Sequence, residues 1–379
     1  MTDVARTMGS VRRLVVKVGT TSLVDARGAP STRKLAKVVD DIAEVSAGRE
    51  CVLVSSGAIA AGLGPLGLTR RPSDMPSLQA AAAVGQGELM AEYARLFARK
   101  GMVAGQVLLT QDDFVRRRQF VNARNTLVRL LAGGAVPVVN ENDTVGTEEI
   151  RFGDNDRLAA LVSVMVAADL LVLLSDVDGI YTRDPSRGAA ELVSVLDLGR
   201  GAVEATGPRS GIGVGGMASK LQAAGIATAG GIGVVVANAE AADVLTRVVS
   251  GEAVGTWLPA RARRRSARKA WIAFASGTRG RIVVDAGAER AVTNDGRSLL
   301  AAGVVGVEGG FAAGDPVELV GPEGRPFARG IANYSSQELP RLAGRSSRDL
   351  SALPGGPYDR EVVHRDELVV MDQWERSTG

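Results

Sequence analysis

LVVKVGTTS, at residues 14–22, is the stretch that decides the fold class of this chain. It is a short apolar run, interrupted by Lys17, that ends in a Gly-Thr-Thr-Ser turn. Such a run is typical of a buried strand in a parallel sheet. Lysine is seldom buried in a strand without a partner. Lys17 could bind a phosphate oxygen at the strand end, although a lysine that reaches solvent from an edge strand explains the pattern equally well.

The alternation of strands and helices continues through the first two thirds of the chain. Ser31 is expected to cap a helix whose apolar residues recur at helical spacing from Leu35 to Val45. Further strands are predicted at residues 51–54, 103–109, 136–139, 170–174 and 233–236, and helices at 77–99, 157–167 and 217–229. Continuous apolar strands separated by helices predict an α/β fold, in which a mainly parallel sheet is sandwiched by helices.

Composition narrows the chemistry that the chain can use. There is one cysteine and one histidine, which excludes an internal disulfide and a Cys/His zinc site and argues against catalysis by a Ser–His or Cys–His pair. A net charge of +3 implies no polyanionic partner. Residues 1–13 lack the apolar core of a secretory signal, and the apolar runs are too short to span a bilayer. We therefore expect a cytoplasmic protein that has no contact with a membrane.

The character of the sequence changes near residue 255. A basic run at residues 261–269 predicts a solvated linker. After it, short β-type segments at 280–284, 303–307, 316–320 and 328–331 are separated by glycine turns and show little helical periodicity. We therefore expect an α/β domain at residues 10–256, a basic linker at 257–270 and a small, mostly β domain at 271–370.

The glycine-rich segment GIGVGGMASK, at residues 211–220, is the best candidate for an anion site. The P-loop motif, the protein-kinase catalytic loop and a dinucleotide fingerprint after the first strand are all missing from the sequence. Backbone amides and the N-terminus of the following helix could instead face an anion. Lys220 is expected in the first turn of that helix, where a cation is unfavourable unless an anion is bound. The alternative is a flexible glycine loop.

Polar clusters follow the predicted strands, where parallel sheets bind ligands. NEND at 140–143 and GDND at 153–156 could be ordinary turns, and Asp156 could cap the next helix. Two such clusters close together suggest instead a site for an amine, a metal or catalytic lysines. The segment Ser55-Ser56-Gly57 begins a helix whose N-terminus could hold a carboxylate, or Ser56 is an ordinary cap.

Six segments together resemble the amino-acid kinase family, and within it the members that phosphorylate the side-chain carboxylate of L-glutamate with ATP and Mg²⁺. The segments are VVKVGTTSL (15–23), VLVSSGAIAAGLG (52–64), VPVVNENDTV (136–145), FGDNDRLAALV (152–162), LLSDVDGIYTRDP (173–185) and GVGGMASKLQAA (213–224). They occur in the order of the family. The C-terminal part resembles a PUA domain, so the resemblance spans nearly the whole chain.

The resemblance implies a role for each matching residue. Lys17 and Lys220 would contact the phosphates of ATP, and Asp156 would orient both lysines. Glutamate would be bound by Ser56, Asn140, Asp143 and Asn155. The nucleotide site would be lined by Lys17, Ser175, Asp176, Val214, Gly215, Gly216, Met217, Ala218, Ser219 and Lys220. Mg²⁺ would be held mainly by ATP, with Asp154 as a further candidate ligand.

Two of these positions depart from the family pattern. The family often has a hydroxyl residue where Val214 stands, so one nucleotide contact is expected to be lost or moved to the backbone. Ser175 replaces a threonine and keeps the hydroxyl.

The resemblance also implies a pathway and partners. The product would be L-glutamyl 5-phosphate, a labile acyl phosphate in proline biosynthesis, with proline as a feedback inhibitor and glutamyl-phosphate reductase as a candidate partner. A homo-oligomer, dimer or tetramer, is expected. Kinases that act on N-acetylglutamate, aspartate, carbamate or UMP are the alternatives within the family, and the NEND and GDND pair together with the β domain favours free glutamate. An RNA-binding or RNA-modifying protein is the alternative outside it, because PUA domains often bind RNA, and the basic linker would be its footprint. The small net charge and the place of the catalytic motifs in the other domain argue against it.

Overall fold

The computed structural model describes residues 8–25, 29–145, 155–183, 189–198, 216–261, 278–350 and 361–371, together with Lys269, Ile272 and Tyr358. The chain divides into two compact units, Met1–Arg264 and Arg265–Gly379. Each unit is built on one sheet, which has seven strands in the first and five in the second.

The first unit has a mainly parallel sheet in the order β3-β4-β2-β1-β5-β6-β7. Its strands are β1 (Arg13–Val18), β2 (Glu50–Val54), β3 (Val103–Leu109), β4 (Ala135–Glu141), β5 (Leu170–Ser175), β6 (Gly233–Asn238) and β7 (Thr256–Leu258). Only the short β7 runs antiparallel to its neighbour. The predicted fold class is therefore confirmed for this unit.

Strand β1 lies at the centre of the sheet, with β2 on one side and β5 on the other. Lys17 is paired in register with Val54 of β2 and Leu173 of β5, and it is buried. The explanation of Lys17 as a solvent-reaching lysine on an edge strand is wrong, because both edges of its strand are hydrogen-bonded.

Helices cover the sheet. They are α1 (Thr32–Val45), α2 (Ala58–Leu63), α3 (Met75–Arg99), α4 (Asp112–Val115), α5 (Arg117–Ala132), α6 (Asn155–Met165), α7 (Gly216–Ala229) and α8 (Val244–Ser250). Ser31 caps α1 as predicted, with its side chain accepting a hydrogen bond from the backbone N–H of Lys34. The buried face of α1, which includes Leu35 and Ile42, packs into the main core beside Leu14 and Val16 of β1. Among the described residues, no helix is both long enough and apolar enough to cross a membrane.

Helices α2 and α3 approach each other closely at two glycines. A Cβ atom on Gly62 would lie 1.9 Å from the carbonyl oxygen of Ala81, and one on Gly85 would lie 1.9 Å from the carbonyl oxygen of Ala58. No side chain fits at these positions without moving backbone. The contact fixes the middle of α3 against the start of α2, directly after the end of β2.

The second unit is a five-stranded sheet in the order β12-β11-β10-β8-β9. Its strands are β8 (Gly280–Val284), β9 (Val304–Gly309), β10 (Pro316–Val320), β11 (Pro326–Ile331) and β12 (Leu368–Val370), and its helices are α9 (Ala286–Thr293), α10 (Leu339–Leu342) and α11 (Ser347–Leu350). Its own core includes Ile282, Leu319 and Leu339. The mostly β prediction is confirmed, although α9, capped by the side chain of Asp285, was not predicted.

Candidate active site

A cleft of about 430 Å³ lies at the carboxyl ends of the central strands of the first unit. It is lined by residues that follow β1, β2, β4 and β5 and by the starts of helices α6 and α7. This is where parallel α/β sheets bind ligands. The lining residues are Lys17, Gly19, Thr20, Thr21, Ser56, Gly57, Ala58, Ile59, Ala60, Arg71, Asn140, Glu141, Asp143, Asn155, Asp176, Gly216 and Lys220.

Asp156 joins the two lysines that the sequence singled out. Its Oδ1 lies 2.5 Å from Lys17 Nζ, and its Oδ2 accepts a hydrogen bond of 3.0 Å from Lys220 Nζ. Asp156 is 0% exposed, Lys17 3% and Lys220 8%. With both lysines protonated, the three side chains carry a net charge of +1 in a mostly buried setting, which suits the binding of an anion.

Asp156 does not occupy the cap position of α6, so the interpretation of this residue as an ordinary helix cap is wrong. Asp156 is the second residue of α6, inside the helix rather than before it, and its carboxylate contacts the two lysines. Lys220 is the fifth residue of α7, so it lies just past the first turn where it was expected. Helices α6 and α7 pack on each other, and α6 also packs on β1. That packing brings three positions distant in sequence to one point.

Asn155 connects the ends of β2 and β4. Its Nδ2 donates to the carbonyl oxygen of Ser55 at 2.6 Å and to Asn140 Oδ1 at 2.7 Å, and it lies 3.1 Å from Ser56 Oγ. Asn140, Ser56 and Asn155 all line the cleft, and Asp143 lies on the same wall. Three of the four residues assigned to glutamate by resemblance are therefore joined by hydrogen bonds, and the fourth, Asp143, lines the same cleft.

Ser56 lies next to a helix start, but it is not the cap residue. Helix α2 begins at Ala58, and the cap position is held by Gly57, which has a left-handed backbone with φ of 93°. The neighbouring Ser55 is buried, and its hydroxyl lies 2.9 Å from that of Tyr93 on α3. Burial raises the pKa of Tyr93, so its hydroxyl stays neutral and supports the loop without adding charge.

The opposite wall of the cleft carries Asp176 and the start of α7. Asp176 lines the cleft, whereas Ser175 is buried beneath it and its hydroxyl donates to Asp176 Oδ1 at 3.1 Å. Of the predicted residues from Gly216 to Ser219, only Gly216 lines the cleft; Met217, Ala218 and Ser219 complete the first turn of α7. Val214, Gly215 and Asp154 lie outside the described residues.

Several residues at the site had no assigned role from the sequence. Arg71, in the polar connection between α2 and α3, lines the cleft, and nothing in its neighbourhood in the sequence marked it. Glu141 lies inside the NEND motif and also lines the cleft. Burial lowers the pKa of Arg157, and the negative charge of Glu141 partly offsets that effect.

Gln86 of α3 is a further residue at the site, and it accepts a hydrogen bond from Asn140. A polar residue between Ala82 and Leu89 on the buried side of a helix is a signal that could have identified it.

Metal ligands are few in the part of the chain that the structure describes. No group of three or more His, Cys, Asp or Glu side chains there could hold a metal ion. Mg²⁺ is commonly bound through one or two carboxylates together with the phosphates of a nucleotide. Asp176, on the cleft wall that carries α7, is suited to such a role.

Comparison with known proteins identifies the family. Residues 12–238 match the Amino acid kinase family, and residues 280–353 match the PUA domain. The chain is 54% identical to a glutamate 5-kinase of Streptomyces coelicolor, over 98% of this chain and all of the relative. It is 53% identical to a glutamate 5-kinase of Salinispora arenicola, over 96% of this chain and 98% of the relative.

A solved structure supports the fold of the first unit. Carbamate kinase from Giardia lamblia bound to AMP-PNP matches with a TM-score of 0.50 at 17% identity, covering 66% of this chain and 99% of that chain. The match over residues 12–238 and the identity to full-length relatives lead to one conclusion. This chain belongs to the amino acid kinase family.

Proposed function

We propose that this chain is an ATP-dependent glutamate 5-kinase, which phosphorylates the side-chain carboxylate of L-glutamate to L-glutamyl 5-phosphate in the first step of proline biosynthesis. The observation that carries the proposal is the pair of buried lysines, Lys17 and Lys220, joined by Asp156 at the floor of a polar cleft. The glutamate 5-kinases that align with nearly the whole chain support the choice of substrate.

The reaction needs charge stabilisation more than proton transfer. An ionised carboxylate is already a nucleophile, so no strong base has to activate it. One of its oxygens attacks the γ-phosphorus of ATP, the bond from that phosphorus to the β–γ bridging oxygen breaks, and ADP leaves with the electron pair. Catalysis then depends on in-line positioning and on offsetting the charge of the equatorial oxygens. In the proposed mechanism Lys17 and Lys220 supply that charge, and Asp156 fixes where both ammonium groups lie.

The wall that carries Ser56, Asn140, Asp143 and Asn155 would hold glutamate. Asp143 would attract the α-ammonium group, because it is a carboxylate on the cleft wall. Backbone amides after Gly57, at the start of α2, and the exposed Arg71 are suited to a carboxylate. Two sites for negative groups and one for a positive group match free glutamate, whereas an N-acetyl group would remove the ammonium that Asp143 is expected to recognise.

The opposite wall would hold ATP. Asp176, Gly216 and Lys220 line it, and the segment with Val214 and Gly215 precedes it in sequence. Amides at the start of α7 would face the phosphates. Mg²⁺ would be carried mainly by ATP, with Asp176 or Asp154 as ligands from the chain, and would add positive charge at the transferring phosphoryl group.

The proposal extends to partners and regulation. An acyl phosphate hydrolyses readily, so an enzyme that reduces it, glutamyl-phosphate reductase, is the proposed partner. Feedback inhibition by proline, a dimeric or tetrameric assembly and a cytoplasmic location belong to the same proposal. They rest on the family resemblance.

Glutamate-dependent release of ADP tests the function directly. The purified full-length chain is assayed with ATP and Mg²⁺ against L-glutamate, N-acetylglutamate, aspartate, carbamate and UMP, with hydroxylamine present to trap the acyl phosphate as a hydroxamate. We expect ADP release and hydroxamate formation with glutamate alone. Turnover of another acceptor in preference to glutamate would reject the proposal. Repeating the assay with proline tests the feedback inhibition separately.

A further inference from the structure

Gln86 is a polar residue on the buried side of helix α3. Ala82 and Leu89, about one turn before it and one turn after it, are both buried. Gln86 lies outside the cleft lining, yet its side chain reaches the site, since its Oε1 accepts a hydrogen bond of 2.7 Å from Asn140 Nδ2. The contact joins helix α3, none of whose residues line the cleft, to Asn140 in the cleft wall.

The contact gives the NH₂ group of Asn140 a hydrogen-bond acceptor. This residue is 2% exposed, and its amide offers an accepting oxygen on one side and a donating NH₂ group on the other. The oxygen accepts from Asn155 Nδ2 at 2.7 Å and from the backbone N–H of Glu141 at 2.9 Å. The NH₂ group must then face α3, where Gln86 accepts from it. A rotated amide would place the NH₂ groups of Asn140 and Asn155 against each other.

The helix crossing determines where Gln86 lies. The preceding residue, Gly85, is so close to the carbonyl oxygen of Ala58 that no Cβ atom fits between them. Ala58 begins helix α2, directly after the cleft residues Ser56 and Gly57. Gln86 is therefore held at a fixed place relative to the wall that Asn140 and Asn155 complete.

We propose that Gln86 is a positioning residue for the acceptor side of the cleft, which acts through Asn140 to hold Asn155 against Ser56. The proposal rests on the proposed function, because it takes glutamate as the acceptor. Without Gln86 a buried N–H of Asn140 loses its partner, and the amide that holds Asn155 is no longer fixed. The contacts of Asp156 with the two lysines do not involve Gln86. Binding of glutamate should therefore suffer more than binding of ATP.

Gln86→Met removes the accepting oxygen and keeps a side chain of similar length. We expect the KM for glutamate to rise on the order of tenfold, as the loss of one buried hydrogen bond implies, while the KM for ATP changes by less than about twofold. Glu88→Met, on the exposed side of the same helix, is the matched control and should leave both constants unchanged. A folded Gln86→Met enzyme with the wild-type KM for glutamate would overturn the proposal.

A double-mutant cycle tests whether Gln86 acts through Asn140. Asn140→Ala alone should weaken glutamate binding, and adding Gln86→Met to it should bring no further loss, since the link is already broken. Additive losses would contradict the proposed link. Gln86→Glu keeps an accepting oxygen at the same position, so its KM for glutamate should lie nearer to the wild type than that of Gln86→Met. An equal loss in both variants would also reject the proposal.

The wild-type assay separates the two proposals. A wild-type chain that shows no glutamate-dependent release of ADP would reject the proposed function. An active wild type together with an unaffected Gln86→Met variant would reject only the positioning role. Thermal unfolding of each variant, with and without ATP, tests whether that variant is folded and whether it binds ATP.

Discussion

Replacing Asp156 by asparagine removes the negative charge between two buried ammonium groups and barely changes the shape of the side chain. The carboxylate lies 2.5 Å from Lys17 Nζ and 3.0 Å from Lys220 Nζ. Opposite charges about 3 Å apart attract by about 5 kcal/mol per pair at an effective dielectric constant of about 20. Desolvation of the three groups offsets much of this, and removing one partner of a buried ion pair costs about 3–5 kcal/mol in practice.

Two consequences follow for the Asp156→Asn variant. Its free energy of unfolding should fall by about 3–5 kcal/mol, a large share of the roughly 5–15 kcal/mol of a typical domain. The Tm of the first unit should drop by about 6–20 °C. Its kcat/KM should fall on the order of 10²–10³-fold, because the two ammonium groups repel each other and lose their alignment with the phosphates.

Binding of ATP distinguishes this explanation from general damage. In the variant the triphosphate becomes the nearest counter-charge of both lysines, so ATP should raise the Tm of Asp156→Asn by more than it raises that of the wild type. Differential scanning fluorimetry with and without ATP, together with the ADP-release assay, measures both effects. Asp41→Asn makes the same chemical change at a partly buried ion pair with Lys37, and should leave kcat unchanged. Wild-type stability and turnover in Asp156→Asn would refute the argument.

Four further predictions follow from the described contacts. Lys220→Ala should lower kcat/KM by about 10²-fold or more; turnover close to the wild type in the ADP-release assay would reject the two-lysine mechanism. Asp143→Ala should raise the KM for glutamate and leave that for ATP unchanged, and steady-state kinetics showing the opposite would contradict its assignment. Gly85→Ala should destabilise the first unit by about 1–3 kcal/mol in urea unfolding, because its Cβ atom overlaps a carbonyl oxygen; an unchanged midpoint would show that the helices can separate at no cost. Burial raises the pKa of Asp41, so the folded state takes up this proton more readily than the unfolded state. The stability of the wild type relative to Asp41→Asn should therefore increase as the pH falls from about 7 towards 4, and a difference that does not vary with pH would contradict this.

The parallel sheet could be predicted from the sequence because its strands are continuous apolar runs. Strands β3, β8 and β10 have the predicted bounds, the other predicted strands differ by one or two residues at an end, and β7 and β12 were not predicted. Helix α5 was missed because many of its residues are polar and most are at least partly exposed, with Leu127 and Leu131 as its buried residues among those described. The antiparallel β7 is only three residues long, too short for alternation to be recognised.

The site was predictable where a residue type conflicts with its surroundings. Lys17 in an apolar strand and Lys220 after four glycines are such conflicts, and the structure joins them through Asp156. Arg71 could not be found in this way, because an arginine in a polar loop is ordinary. Which lysine meets which carboxylate depends on how α6 and α7 pack, and no local pattern contains that information.

Because β1 is the central strand of the sheet, the residues proposed to bind glutamate and those proposed to bind ATP lie on different sides of it. Strands β2, β4 and β3 lie on one side of it, and β5, β6 and β7 on the other. Ser56 follows β2 and Asn140 lies near the end of β4, both in the first group, whereas Asp176 follows β5 and Lys220 lies on the helix that leads into β6. Under the proposed function, the residues that would select the acceptor and those that would bind the nucleotide therefore lie in separate halves of the sheet. Chimeras that exchange only the first half between relatives could change which acid is phosphorylated and keep ATP as the donor.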